Sequence, residues 1–118
     1  MLLKYVILFH DRVPSPHFDL MFETEPGSAL ATWRSPAWPL LQPVVLTKLQ
    51  DHRRDYLEYE GPVSGDRGQV KRISAGVCSI RKFDDDNFWS IHFPDLQLPR
   101  LHLKFGHGDE WLAMLECY

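Results

Sequence analysis

Hydrophobic and polar positions along this chain alternate on the two-residue period of strands, and no long segment carries the 3.6-residue period of a helix. Tyr5 to His10 is a continuous apolar run rich in β-formers, which predicts a strand buried on both faces. Asp11 to Pro16 follows with two prolines and a serine, so it is a connection. In His17 to Glu23, strand periodicity sends Phe18, Leu20 and Phe22 to one face and His17, Asp19, Met21 and Glu23 to the other. The first face is core. The second is left for chemistry or solvent.

Ala29 to Arg34 and Val44 to Gln50 predict two further strands, separated by the proline-rich loop Ser35 to Pro43. Asp51 to Glu60 reads as a helical turn or an extended segment, and Gly61, Pro62, Gly65 and Gly68 mark a turn-rich loop. Gln69 to Arg81, Asn87 to Phe93, Leu98 to Lys104 and Trp111 to Glu116 supply the remaining strands. The expected fold is all-β, a small single-domain β-barrel of about eight short, mostly antiparallel strands, with residues 1–118 as one domain.

Composition narrows the class. The 118 residues are 44% apolar and 13% aromatic, enough for one core and too few for two lobes with a cleft between them. Cys78 and Cys117 cannot make a disulfide framework or a Cys-rich zinc site, which fits a reducing compartment. The run Leu2 to Phe9 is too short to span a bilayer and has Lys4 inside it, so a cytoplasmic protein with no membrane partner is expected. The net charge of −3 hides a segregation. Lys48 to Lys82 holds eight Lys and Arg against five Asp and Glu, while Phe83 to Tyr118 holds two against seven.

The histidines carry the candidate chemistry. His10 closes the first strand and His17 opens the second, so a hairpin brings both imidazoles to the mouth of its loop, with Asp19 on the face of His17. Two imidazoles and a carboxylate suit a divalent ion such as Mn2+, Zn2+ or Fe2+. His52 and Tyr56 are four apart, with Arg53 and Arg54 between them, and a His, a phenol and nearby guanidinium groups suit a phosphoester whose leaving oxygen must be protonated. Within Gly61 to Gly68, Arg67 is the side chain that reaches for an anion. The chain has neither a phosphate-binding Gly-rich loop of the Lys-Ser/Thr type nor a serine nucleophile elbow.

In order, His10-Asp11, His17-Phe18-Asp19-Leu20-Met21-Phe22-Glu23, Thr32-Trp33, Asp51-His52-Arg53-Arg54-Asp55-Tyr56 and Glu60-Gly61 resemble the 3'-phosphoesterase domain of bacterial DNA ligase D. The likeness covers about the first two thirds of the chain. It implies a compact β-barrel that uses a divalent metal, most often Mn2+ with Zn2+ as the alternative, to remove 3'-phosphates and 3'-ribonucleotides from nucleic-acid ends. It assigns His10, His17 and Asp19 to the metal and His52 and Tyr56 to the phosphate. It also implies separate ligase or polymerase proteins acting in trans, since neither module is present in this sequence. The family pattern has arginines where this chain has Met21 and Val44, so Arg34, Lys48 and Arg67 become the candidates to hold the phosphate. Two other readings share the sequence. One is a relative that keeps the barrel and metal without turnover; the other is an iron oxygenase that would use His17, Asp19 and a distal His92, with Arg100 for a co-substrate.

Overall fold

The computed structural model describes residues 1–116; Cys117 lies outside the described residues. Nine strands form one sheet: β1 (Leu3–Asp11), β2 (His17–Glu23), β3 (Leu30–Ser35), β4 (Val44–His52), β5 (Gly61–Pro62), β6 (Gln69–Phe83), β7 (Phe88–His92), β8 (Leu101–His107) and β9 (Glu110–Leu115). A 3-10 turn, Arg54–Leu57, follows β4. The order is β1-β2-β3-β4-β9-β8-β7-β6-β5, every pairing is antiparallel, and β1 also pairs with β6. Eight strands therefore close into a barrel and β5 adds to it as a short extra strand. The expected all-β barrel is what the chain forms.

The barrel interior is filled. Tyr5, Ile7, Leu20, Phe22, Trp33, Leu46, Cys78, Trp89, Ile91, Leu103 and Trp111 belong to one buried cluster to which all eight barrel strands contribute. Trp33 packs edge-on against Trp89 and Trp111, with ring centroids 4.9 and 5.3 Å away. Burial raises the Cys78 thiol to about 12, so at neutral pH it is an inert core side chain. No helix among the described residues is long and apolar enough to cross a membrane.

Element limits moved where turn chemistry decided them. The eighth strand starts at Leu101 rather than Leu98 because Pro99 has no N–H to give to a ladder. It runs on to His107 because the turn to β9 needs only Gly108 and Asp109, and Gly108 takes a φ of +56°. Asp51 to Glu60 resolves into the end of β4 and the 3-10 turn.

The second face of β2 is neither solvated nor wholly polar. Val6, Leu8, Met21, Leu30, Leu57 and Val70 make a second buried cluster outside the barrel, over β1, β2, β3 and the start of β6, with Tyr56 and Val63 packed on it. Leu57 delivers the 3-10 turn to this layer, and Glu23 pins it there. The Glu23 carboxylate is 3% exposed. It accepts from the Lys4 N–H at 2.6 Å and the Gly27 N–H at 3.0 Å, and Arg54 Nη1 donates to it at 2.5 Å and to the Ser28 carbonyl at 2.8 Å. Arg54 is thus committed to Glu23 and is withdrawn from any phosphate.

Burial alone would raise the Glu23 pKa; the two N–H donors and Arg54 outweigh it and hold the group below its ordinary 4.5. Its contribution to stability is therefore present above that value and is lost as pH falls through the lower folded-state pKa. Glu23→Gln is expected to cost about 2 kcal/mol at pH 7 and to flatten the acid limb of a urea-midpoint profile measured from pH 7 to pH 3. Equal acid limbs in both proteins would refute the assignment.

Candidate metal and phosphate site

β1 and β2 pair so that His10 faces His17, Leu8 faces Asp19 and Val6 faces Met21, which puts all six on the outer face. The two imidazole rings are 4.8 Å apart between centroids. One ligand atom each from His10, His17 and Asp19 lies within 4.8 Å of the others. Asp19 is 4% exposed, and its next neighbour on β3 is Arg34, whose Nε donates to Oδ1 at 3.2 Å. The other carboxylate oxygen, Oδ2, sits 3.7 Å from His17 Nε2, too far for a hydrogen bond.

Main-chain carbonyls set the tautomers. His17 Nδ1 meets the Ser15 carbonyl at 2.9 Å, and because a carbonyl only accepts, Nδ1 carries the proton and Nε2 the lone pair. His10 is held the other way: its Nε2 donates to the Arg67 carbonyl at 2.6 Å, leaving Nδ1 as the free nitrogen. His17 Nε2 is buried and has no hydrogen-bond partner. Burial lowers the His17 pKa, more than the Ser15 carbonyl and Asp19 raise it. A buried, unprotonated nitrogen beside a buried carboxylate is costly without a partner, and a divalent cation supplies one. The donor set of two imidazoles and one carboxylate suits a divalent ion such as Mn2+, Zn2+ or Fe2+.

The three residues line a cavity of about 720 Å3. His52, Tyr56, Arg34 and Arg67 line it as well, so the metal and phosphate groups expected from sequence share one site. His52 stands opposite Leu30 at the end of β4, its Nδ1 donates to the Gln50 carbonyl at 2.8 Å, and its ring is 5.7 Å from that of Tyr56. The Nε2 edge is thereby left for a ligand.

The structure revises several sequence expectations. Lys48 does not line the cavity: it stands opposite Trp33, with Nζ 5.1 Å from that ring and donating to the Leu49 carbonyl at 2.7 Å, because the even positions Val44, Leu46 and Lys48, which precede the register shift between Leu49 and His52, turn toward the barrel core. Val44 also packs against the core, while Val45 and Thr47 face the site, so the side chain at position 44 does not line the cavity. Met21 does face the site, as expected, but as its apolar floor at 1% exposure. His92 lies on β7 opposite Ser79 and does not line the cavity, so it is not the distal histidine that the oxygenase reading assigned; the second imidazole beside His17 and Asp19 is that of His10. Arg67 meets the site through its carbonyl, which holds His10, while its guanidinium is turned onto Ser64. No family model matches this sequence, and comparison with curated proteins finds no match.

Titration with Mn2+ or Zn2+ is expected to show one site in the wild type and none in the His17→Ala, Asp19→Ala double variant. Equal affinity in both would eliminate the site. Because His17 titrates below its ordinary 6.5, its proton should begin to compete with the metal only in more acid solution than an ordinary imidazole would.

Proposed function

We propose that this chain is a metal-dependent phosphoesterase acting on 3' ends of nucleic acid, removing a 3'-phosphate or a 3'-ribonucleotide in end repair, and that it is a relative of the 3'-phosphoesterase domain of bacterial DNA ligase D. The observation that carries this reading is the unpartnered His17 Nε2 beside Asp19, in one cavity with His52, Tyr56 and Arg34. Mn2+ or Zn2+ held by His10, His17 and Asp19 would supply Lewis-acid polarisation of a phosphoryl oxygen.

The remaining work falls to the chain's own groups. Arg34 uses its Nε on Asp19 and keeps its terminal nitrogens for a phosphate oxygen. It is the cation best placed to replace the guanidinium missing at position 21. Protonated His52, oriented through Nδ1 by the Gln50 carbonyl, can give the Nε2 proton to the leaving oxygen. The Tyr56 hydroxyl adds a neutral donor beside it. Leu8, Met21 and Val70 make an apolar floor that thins water around the phosphate and strengthens each of these contacts. The cavity has the size of a nucleotide-scale site. Met21 in place of a guanidinium favours, as the second reading, a protein that holds metal and strand end without turnover.

The test is product formed from a labelled strand ending in a 3'-phosphate or one 3'-ribonucleotide, with Mn2+ present. Product is expected from the wild type, and none after chelation or in His52→Ala. Arg34→Gln should lower kcat/KM by about ten- to a hundredfold, the worth of one charge-assisted hydrogen bond, while Lys48→Met leaves it unchanged. A wild type that binds metal and forms no product decides for the second reading.

A further inference from the structure

A second cavity of about 340 Å3 adjoins the first, and Tyr56, Val63 and Arg67 line both. Its other walls are Arg53, Asp55, Tyr59, Pro62 and Ser64. The Tyr59 ring is fixed: its hydroxyl donates to the Pro62 carbonyl, it stands at 87° to Tyr56 with centroids 6.3 Å apart, and it is still 39% exposed. Gly61 lets the ring sit there, since a Cβ at that position would approach Tyr59 Oη to 3.3 Å at a φ of +131° that side chains rarely adopt. Arg53 is exposed and, unlike its neighbour Arg54, has no carboxylate partner among the described residues.

We propose that this second cavity is a subsite for the nucleotide that precedes the 3'-terminal one, with Arg53 on its phosphate and the Tyr59 ring beneath its base. The proposal rests on the phosphoesterase reading of the first cavity and says which substrates that site takes: strands rather than free nucleotides. A strand whose 3' end lies against His52 must leave the first cavity, and the wall at Tyr56 and Arg67 is where a second cavity receives it. Aromatic faces accept any base, and one unpaired guanidinium matches one backbone phosphate. Two arginines against the single carboxylate of Asp55 leave the lining positive by one charge, enough for one phosphate and unsuited to a polyphosphate. Asp55 is able to accept from a sugar hydroxyl or a base amine.

The experiment compares kcat/KM with Mn2+ for a 3'-phosphorylated strand and for a nucleoside 3'-monophosphate, in the wild type, Arg53→Gln and Tyr59→Ala. The wild type should prefer the strand by at least about tenfold, and each variant should lose about tenfold on the strand, through KM, and nothing on the mononucleotide. With metal chelated, anisotropy of the labelled strand against salt should give a slope that Arg53→Gln reduces by about 0.7, the loss of one single-strand phosphate contact. Turnover of both substrates with equal efficiency overturns the subsite and leaves the phosphoesterase reading standing. Equal losses on both substrates, or an unchanged salt slope, also overturn it. A wild type inactive on both substrates defeats the phosphoesterase reading, and the subsite with it.

Discussion

Closure of the barrel through β1 and β6 is the constraint on which everything else depends. β1 pairs with β2 on one side and β6 on the other, so each of its residues must satisfy two neighbours and two faces. Tyr5 and Ile7 serve the interior, while Val6, Leu8 and His10 serve the outer layer. A register shift in the β1–β6 pairing between Ile7 and Leu8 lets β6 continue past the closure point with its outer residues still facing the site. Gly68 closes the approach: at a φ of +78°, a Cβ there would overlap the Asp11 carbonyl. Without that closure the Arg67 carbonyl would not reach His10.

The site is therefore built on the outside of a filled barrel, and its polar groups are paid for by a second layer of apolar packing. Glu23 and Arg54 hold that layer down by tying the 3-10 turn to the β2–β3 hairpin, and the turn brings Tyr56 to the cavity that His52 lines from the end of β4. Stability and chemistry thus share elements. The outer face of β2 moves from a stabilising carboxylate at Glu23, through the apolar Met21, to the candidate metal ligands Asp19 and His17 within seven residues.

Much of this was legible in the sequence, because alternation in a strand is a strict rule. His17, Asp19 and Met21 had to share a face, and the short connection from His10 to His17 had to return the chain as a hairpin. Side-chain type and spacing also placed His52 and Tyr56 together. What could not be read was anything that depends on main-chain carbonyls or on the parity of a strand with an ambiguous start. The Ser15, Gln50 and Arg67 carbonyls choose which imidazole nitrogen is free, and carbonyls carry no sequence signature. Val44 to Gln50 has apolar residues at both parities, so nothing in it said that Lys48 turns toward Trp33 and Thr47 toward the cavity. Arg54 was indistinguishable from Arg53 until Glu23 claimed it.

The central claim is that two oppositely oriented imidazoles and one carboxylate oxygen hold a divalent ion. A crystal grown with Mn2+ and mapped by anomalous diffraction tests it most directly. The account predicts one strong peak at roughly 2.0–2.3 Å from His10 Nδ1, His17 Nε2 and Asp19 Oδ2, with Arg34 still on Oδ1. A peak bound through the opposite nitrogens, a peak elsewhere on the barrel, or a well-ordered site with no peak at saturating Mn2+ would contradict it.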